Sequence, residues 1–404
     1  MKILYFAPIA TKKNLSFCPF ITQRVIELQK QGIEVDVLLH GNLQIGKYGV
    51  GVNRKGIRKL FDVIRNILLR FGIVRLLFQH KRCCNHPLGS FSYYTELRFL
   101  NDIEFIKWYN RHNFDLIHIH FLGCAGFVPE LHKKYGIRYI ITAHGSDIHA
   151  EVPLGNQYEI ERALNILNNA DKSIFVSKFL LNYAKSFGYN GKNAIVIHNG
   201  VNTSVFFPMK SDIKKNSHYI GFVGHPIYVK RAEILPDVLF LVKKVFSDTR
   251  MLILGSEEND LIPLIKDRAE QLGVYDAIDL VAAVSPEKVG DYMRQLDVLL
   301  LPSRNEGFGC VAIEAQVCGV GVVGSANGGI PEAIGKNGII VSESDNFTQD
   351  FANAVIDYLK NPLSQQVILQ NIGDCSWREC VLQEIQIYNN IASIFSPIAC
   401  TFDA

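Results

Sequence analysis

The chain has 404 residues, of which 48% are hydrophobic and 20% are charged, so length and composition predict two or three globular domains and exclude a disordered chain. Lysine and arginine total 42 against 39 acidic residues, and this formal net charge of +3 excludes a general nucleic-acid binder. Nine cysteines without a C-x-x-C pair exclude a disulfide framework and a structural zinc site, and they predict a reducing, cytoplasmic environment.

The first element in chain order is a short apolar run, which we interpret as a buried strand over residues Lys2–Ala7. A signal peptide is the alternative for this run, but Pro8 follows it and no A-x-A cleavage site is present. No window of the sequence reaches the roughly 20 uninterrupted apolar residues that cross a bilayer. We therefore expect a chain that does not span a membrane.

The segment from Arg54 to Arg82 carries nine basic residues and one acidic residue, Asp62. Apolar residues recur between them at spacings of three and four, which predicts an amphipathic helix with a cationic face. Two interpretations remain open. The helix lies on an anionic lipid surface, peripherally on the inner face of the plasma membrane, or it packs on its own domain as an ordinary surface helix.

Short apolar runs alternate with longer helical patterns along the whole chain, which is typical of strand–helix units and a parallel sheet. Each half has the strand count of a doubly wound, Rossmann-like domain. The predicted strands are 2–7, 34–39, 116–120, 139–142, 173–176 and 194–197 in the first half, and 219–223, 250–254, 278–281, 298–301, 320–324 and 338–341 in the second.

The predicted domains are 1–205 and 218–385, joined by a polar, proline-containing linker at 206–217. A helix is expected around 377–391, and the tail 386–404 is a candidate to pack back on the first domain. Two such domains facing each other form a cleft at the carboxyl ends of both sheets, where ligands of α/β sheets normally bind.

The strongest local signal is the run from Leu301 to Glu314, LPSRNEGFGCVAIE, which directly follows the predicted strand DVLLL. A strand, a turn with two glycines and a helix leave free backbone N–H groups at the helix start, where the helix dipole favours an anion such as a diphosphate. Glu306 and Glu314 provide carboxylates that accept hydrogen bonds from sugar and ribose hydroxyls. A plain strand-to-helix turn with two solvated glutamates is the alternative, because two glycines alone are a weak signal.

This run resembles the E-x7-E block of glycosyltransferase family 4, the retaining group 1 glycosyltransferases of GT-B fold. The resemblance covers nearly the whole chain: HNGVNTSVFFP at 198–208, VSKFL at 176–180, MLILGS at 251–256 and DVLLLPS at 297–303 are all similar to blocks of that family. TAHGSDIH at 142–149 and DLIHIHF at 115–121 resemble the branch that builds bacterial surface polysaccharides. The resemblance implies two Rossmann-like domains and a nucleotide-diphosphate sugar as the donor substrate.

The resemblance also implies the donor-binding residues. Glu314 matches the glutamate that holds the nucleotide ribose, and Glu306 matches the one that binds a hydroxyl of the donor sugar. Lys230 matches the lysine that neutralises the leaving diphosphate, a role that suits a fixed cation. The backbone of the turn contacts sugar hydroxyls and the diphosphate at Gly307, Phe308, Gly309, Cys310 and Val311.

On the first domain, His144 matches the family histidine that contacts the donor sugar near the reacting carbon. Asp147 is then a candidate to orient the acceptor hydroxyl or to take its proton. His118 and His120 point to the same side of one strand, and we interpret them as cleft lining or packing because no Cys or carboxylate stands at a complementary metal-binding spacing. The chain also contains no Asp-x-Asp, so we expect a metal-independent reaction without a cofactor.

Four positions depart from the family pattern. His225 stands where the family has a phosphate-binding arginine, and Arg231 stands where it has glycine, so Arg231 is a candidate to supply the missing charge. The Gly-Gly loop after the first strand is replaced by NLSFCPF at 14–20, and Ala282 replaces a glycine of the base-binding loop. These departures weaken the predicted grip on the diphosphate.

Three functions remain open at this point. The leading one is a hexosyltransferase that uses a lipid-linked or oligosaccharide acceptor in cell-surface polysaccharide synthesis. The second is a non-catalytic, transferase-like binding subunit, which His225 and the missing Gly-Gly loop favour. The third is a nucleotide-sugar epimerase of GT-B shape, which needs no acceptor.

Overall fold

The computed structural model describes residues 1–8, 18–39, 42–45, 48–49, 81–86, 89–99, 101–149, 152, 156–209, 217–256 and 261–393. These residues form two compact units. Unit 1 comprises Met1–Val176, Leu181–Ile197 and Cys380–Ala404, and unit 2 comprises Ser177–Leu180 and His198–Glu379.

The chain passes from unit 1 to unit 2 between Ile197 and His198. The reason is visible in the backbone pairing of the segment that follows. The Val201 N–H donates to the carbonyl of Cys375 at 2.8 Å, and the Trp377 N–H donates to the carbonyl of Val201 at 3.2 Å. This pairing attaches the segment to unit 2.

Unit 1 contains an eight-stranded sheet in the order β11-β10-β9-β8-β1-β2-β6-β5. All neighbours are parallel except β5 and β6, which pair antiparallel. The bounds are β1 Lys2–Ala7, β2 Glu34–Leu39, β5 Lys81–His86, β6 Gly89–Tyr94, β8 Leu116–His120, β9 Tyr139–Ala143, β10 Lys172–Phe175 and β11 Ala194–Val196. The six strands predicted for this half are confirmed, with ends that shift by one residue at β9, β10 and β11.

Five strands between residues 43 and 99 were not predicted. Two of them are β5 and β6, and the other three form a small separate sheet of β3 Leu43–Ile45, β4 Tyr48–Gly49 and β7 Leu97–Phe99. The predicted amphipathic helix at 54–82 lies outside the described residues, apart from Lys81 and Arg82, which stand in β5. Lys81 pairs there with the buried Asp36 at 2.7 Å.

The helices of unit 1 cover the sheet with apolar faces. Helix α1 begins at Pro19, where the missing N–H of proline is harmless because first-turn N–H groups have no helical partner. Helix α2 begins after Asn101, whose side chain accepts a hydrogen bond from the Glu104 N–H. The bounds are α1 Pro19–Lys30, α2 Asp102–Arg111, α3 Val128–Tyr135, α4 Ser146–His149, α5 Gln157–Asn169 and α6 Lys178–Ser186, the last of which begins in unit 2.

Unit 2 contains a six-stranded, all-parallel sheet in the order β14-β13-β12-β15-β16-β17. The chain reverses its direction of travel across the sheet between β12 and β15, which makes the carboxyl ends of these strands the switch point where such sheets bind ligands. The six predicted strands are confirmed within two residues at each end. Their bounds are β12 Tyr219–Val223, β13 Arg250–Ser256, β14 Ile278–Ala282, β15 Val298–Leu301, β16 Gly321–Ser325 and β17 Gly338–Val341.

The helices of unit 2 enclose an apolar core that includes Phe222, Leu300 and Phe351, all nearly inaccessible to solvent. The bounds are α7 Leu235–Lys243, α8 Ile262–Gln271, α9 Pro286–Met293, α10 Cys310–Val317, α11 Ile330–Ile334, α12 Phe347–Lys360, α13 Gln365–Ile372 and α14 Trp377–Ser393. Helix α14 contains the helix predicted at 377–391, and it belongs to unit 1 from Cys380 onward. Within the described residues, none of the helices combines the length and apolar character that a bilayer crossing requires.

Candidate active site

Two predicted donor-binding side chains meet at the switch point of unit 2. Lys230 follows β12 in a 3-10 turn, and Glu306 lies in the loop after β15. The Lys230 Nζ donates to Glu306 Oε1 at 2.5 Å, and the Ser303 hydroxyl donates to the same oxygen at 3.1 Å. Because β12 and β15 are neighbours in the sheet, the topology brings together a cation and a carboxylate that lie far apart in sequence.

The loop that carries Glu306 ends in a helix start with no side-chain cap. Gly309 is the N-cap of α10 with φ 97°, a left-handed conformation that favours glycine. The first N–H groups of α10 are therefore not covered by a capping side chain, and the helix dipole adds a positive partial charge at that point. This geometry suits an anionic ligand such as a diphosphate.

Two consecutive glycines let a second loop pass directly against the Glu306 loop. A Cβ on Gly328 would lie 2.2 Å from the Glu306 carbonyl oxygen, and one on Gly329 would lie 2.5 Å from that of Gly307. The Gly329 N–H also donates to the Glu306 carbonyl at 2.9 Å. Gly328 and Gly329 thus pack directly against the backbone of the donor-binding turn because they have no side chains.

Glu314 lies in the second turn of helix α10. Burial raises the pKa of the Glu314 carboxyl to about 7, because the charged form is unfavourable away from water. Hydrogen-bond donors from a ligand would stabilise that charged form. The neighbouring Cys310 is the first residue of α10, and burial raises the pKa of its thiol to about 12. This thiol accepts a hydrogen bond from the Asn199 side chain at 3.2 Å, so Cys310 contributes packing and backbone rather than a reactive thiolate.

The remaining residues of the turn differ in exposure. Phe308 is buried, and its ring stacks on His198 with 4.7 Å between the ring centroids. Gly307 presents its carbonyl to the Ser177 hydroxyl, which donates at 2.6 Å. Val311 is partly buried on the first turn of α10. The turn is therefore held by its own unit on several sides.

The structure gives Arg231 a partner other than the predicted phosphate. Its guanidinium pairs with Glu343 at 2.8 Å and lies over the Phe347 ring at 3.9 Å. Its φ of 55° is left-handed, which explains why glycine suits this position in the resembling family. His225 is exposed after β12. Arg231 is therefore engaged by Glu343 and Phe347, and it does not supply near Lys230 the charge that the family arginine would bring at position 225.

In unit 1, His144 lies at the carboxyl end of β9, where its predicted role requires it. The residue is 9% exposed, and its Nε2 lies 2.9 Å from Nδ1 of His120. The rings of Phe20 and Phe121 pack around it at centroid distances of 5.0 and 4.7 Å. Burial and the charge of Arg24 lower the pKa of His144 well below its ordinary value, so its imidazole is neutral near pH 7.

Asp147 is fully buried, and its carboxylate accepts hydrogen bonds from three backbone N–H groups. These donors belong to His144 at 3.0 Å, Gly145 at 2.8 Å and Leu122 at 3.1 Å. These hydrogen bonds hold the loop that carries His144, and the role of Asp147 in orienting the acceptor hydroxyl or taking its proton stays a prediction.

His118 and His120 are both fully buried, which agrees with the packing interpretation. Across the described part of the chain, no group of three or more His, Cys, Asp or Glu residues is arranged to hold a metal ion.

Sequence reasoning missed the residues that hold the donor turn from behind. Their roles depend on contacts between distant segments, which no local pattern encodes. A signal was nevertheless present for four of them, which lie inside blocks that carry the family resemblance: Ser177, His198, Asn199 and Ser303.

Comparisons with known proteins agree with this architecture. Residues 20–205 match the model of Glycosyltransferase Family 4, and residues 206–372 match the model of Glycosyl transferases group 1. An uncharacterized glycosyltransferase of Methanocaldococcus jannaschii is 29% identical, over 69% of this chain and 76% of the relative. The D-inositol 3-phosphate glycosyltransferase of Mycobacteroides abscessus is 28% identical, over 65% of this chain and 63% of the relative.

Solved structures show the same fold. Sucrose-phosphate synthase from Thermosynechococcus elongatus aligns with a TM-score of 0.68 and 17% identity, covering 98% of this chain and 100% of the other. HepE of Anabaena in complex with UDP aligns with a TM-score of 0.63 and 16% identity, covering 98% and 99%. The two Rossmann-like units are therefore those of a GT-B protein. The chain belongs to the group 1 glycosyltransferases of the family 4 type.

Proposed function

We propose that the protein is a retaining, metal-independent hexosyltransferase that moves a sugar from a nucleotide-diphosphate donor to a lipid-linked or oligosaccharide acceptor of the cell surface. The observation that carries the donor half of this proposal is the direct contact of Lys230 with Glu306 at the switch point of unit 2. The acceptor half rests on the resemblance of the segments around His118 and His144 to the surface-polysaccharide branch. The M. abscessus relative is named a D-inositol 3-phosphate glycosyltransferase, so transfer to a small soluble acceptor is the main competing assignment.

The donor site assigns a distinct task to each group. Lys230 stabilises the negative charge that develops on the leaving diphosphate, and the uncapped N–H groups of α10 add to that stabilisation. Glu306 accepts hydrogen bonds from hydroxyls of the sugar, and its contact with Lys230 keeps both side chains in place before the donor arrives. Glu314 accepts hydrogen bonds from the ribose hydroxyls.

The acceptor side is assigned to unit 1. His144 is buried, neutral and oriented by a second histidine, so it suits a hydrogen bond to the donor sugar rather than proton abstraction. A peripheral position on the inner membrane face through residues 54–82 remains a prediction, because that segment lies almost wholly outside the described residues.

The test is release of nucleoside diphosphate from UDP-, GDP- and ADP-sugars with purified protein and a panel of acceptors. Lys230→Met removes the cation, and Lys360→Met is the matched control because Lys360 is an exposed residue at the end of α12. We expect acceptor-dependent turnover that falls at least about 100-fold in Lys230→Met and is unchanged in the control. Proton NMR of the product should show the anomeric configuration of the donor.

Each other outcome selects a competing function. A converted nucleotide sugar without acceptor indicates an epimerase. Nucleotide binding with no turnover on any acceptor supports the non-catalytic subunit, which the exposed His225 and the engaged Arg231 favour. Turnover with inositol phosphate but not with lipid-linked acceptors overturns the surface-glycan assignment and leaves the transferase assignment standing.

A further inference from the structure

A buried pair of histidines connects the core of unit 1 to its candidate sugar contact. His120 ends β8 and His144 follows β9, and these strands are neighbours in the sheet. The Nδ1 of His120 lies 2.9 Å from the Nε2 of His144, and the rings are stacked at 24°. His144 therefore has one ring nitrogen left for any other partner, Nδ1.

The hydrogen bond between these rings contains one proton, and its position determines what His144 offers. Burial lowers the pKa of both histidines well below the ordinary value, so both rings are neutral near pH 7 and each carries a single N–H. If His120 donates from Nδ1, the proton of His144 must be on Nδ1. If His144 donates from Nε2, its Nδ1 is an acceptor and the proton of His120 is on Nε2.

The surroundings favour the first arrangement. Neither Nε2 of His120 nor Nδ1 of His144 has a hydrogen-bond partner among the described residues, and both atoms are buried. A buried N–H without an acceptor is rarer than a buried acceptor without a donor. In the protein alone, each arrangement leaves one N–H and one lone pair without a partner. The first arrangement leaves the lone pair on His120, which is fully buried, and the N–H on His144, which is 9% exposed and follows β9, where a ligand oxygen would satisfy it. The second leaves the N–H on His120, where burial keeps a ligand away.

We propose that His120 is a positioning residue that fixes His144 as the Nδ1–H tautomer, so that His144 donates a hydrogen bond to an oxygen of the bound sugar. This inference rests on the proposed transferase function for the identity of the ligand. The arrangement of the two rings does not depend on it. His120 itself touches neither the sugar nor the reacting atoms in this account.

The position of the His120 ring is set by a polar chain from the C-terminal helix. Tyr388 of α14 donates its hydroxyl proton to Glu384 at 3.1 Å, so its oxygen is available to accept from Nδ1 of His118 at 2.7 Å. The Nε2 of His118 then accepts from the Thr142 hydroxyl at 2.8 Å. Both nitrogens of His118 are thus engaged, and its ring stacks on His120 at a centroid distance of 4.3 Å.

Aromatic rings close the other side of the pair. Tyr5 lies 4.7 Å from the His120 ring, and Phe20 and Phe121 pack on His144. Phe121 has a φ of 69°, which is an unfavourable conformation for a bulky residue and one that tends to occur at functional sites. Phe121 directly follows His120, so the backbone strain lies next to the histidine pair.

The test compares His120→Asn with His120→Leu. Asparagine places an amide N–H where Nδ1 of His120 stands, so it preserves the hydrogen bond to Nε2 of His144, whereas leucine keeps a similar volume and removes the donor. The 15N shifts of labelled histidine report the tautomer directly, with the His144 signal assigned by its loss in His144→Gln. We expect protonated Nδ1 on His144 in the wild type and in His120→Asn, and a different tautomer mixture in His120→Leu.

In donor turnover we expect kcat to fall about 10- to 100-fold in His120→Leu, with a smaller change in KM, and to recover in His120→Asn. His132→Leu is the control, because it removes a histidine that bonds the Ile137 carbonyl elsewhere in unit 1. Protonated Nε2 on His144 in the wild type overturns the inference, as does an unchanged His144 signal in His120→Leu. If His120→Leu does not fold, His120→Gln replaces it, since its amide lies at the Nε2 position.

The two proposals fail in separate ways. A wild type that turns over no nucleotide sugar contradicts the proposed function, while the 15N spectrum still decides the tautomer of His144. Normal turnover with the wrong tautomer contradicts the role of His120 alone.

Discussion

The substitution Gly329→Ala tests whether the donor turn must be held at its present position. Gly329 has φ −84° and ψ 2°, a conformation that alanine adopts without strain, so the effect of the added methyl group is purely steric. The Cβ would stand 2.5 Å from the Gly307 carbonyl oxygen and 2.8 Å from the Phe308 Cα, both backbone atoms. Ordinary contact begins near 3.4 Å, so the turn must move by about 0.9 Å.

A displacement of roughly 1 Å in a catalytic group costs about 100-fold in rate, or about 2.7 kcal/mol of transition-state stabilisation. We therefore expect kcat/KM for the nucleotide sugar to fall about 100-fold in Gly329→Ala, measured by initial rates of nucleoside diphosphate release. Gly273→Ala is the control, because its Cβ meets nothing within 4 Å although its φ of 68° is left-handed. It should lower the melting temperature slightly and leave kcat/KM unchanged. A Gly329→Ala protein with wild-type kcat/KM would refute the reasoning.

Three further predictions concern stability. Glu314→Gln should raise the free energy of unfolding at pH 8 by up to about 3 kcal/mol, because the carboxyl pKa of about 7 lies above its ordinary value of 4.5 and its ionisation opposes folding. Urea titration at pH 5 should show a gain of less than about 1 kcal/mol, because that pH lies close to the ordinary pKa. Arg24→Met should lower the free energy of unfolding by about 3–5 kcal/mol, because it leaves the buried Glu384 without its ion-pair partner. The double variant Arg24→Met, Glu384→Leu should recover most of that loss. Equal losses in the single and the double variant would contradict this. Acidification near pH 5.5 should lower the free energy of unfolding of the wild type by about 2.5 kcal/mol per pH unit, because the unfolded chain takes up protons at His118, His120 and His144, whose folded pKa values are lowered by burial. Glu314 partly offsets this effect, and the slope includes that offset. A flat pH profile in chemical denaturation would exclude this.

Most of the strands could be predicted because they are buried on both faces. Central strands of a parallel sheet are continuous apolar runs, such as Tyr219–Val223 and Val298–Leu301, and these have a clear beginning and end in sequence. The strands at Lys81–His86 and Gly89–Tyr94 are polar and form an antiparallel pair at the sheet edge. Their residues carry no apolar run, so only pairing with β2 reveals them.

Some features of the candidate site could be predicted from the sequence, and others could not. The positions of Lys230 and Glu306 after their strands were predictable, and the strand order then explains why their side chains meet. The hydrogen-bond partners of Asp147 were not predictable, because its three backbone donors come from the folded path of two loops. The partner of Arg231 was hidden for the same reason, since Glu343 follows β17, three strands away from β12 in the sheet.

We propose above all that unit 2 binds a nucleoside diphosphate through Lys230 and Glu314. The most direct test is a thermal-shift panel of UDP, GDP and ADP on the wild type, Lys230→Met, Glu314→Ala and the control Lys360→Met, because a ligand that binds only the folded state raises stability by RT ln(1 + [L]/Kd). We expect a rise in melting temperature for one nucleotide that persists in the control and disappears in the two site variants. Equal rises in all four proteins, or none with any nucleotide, would contradict it.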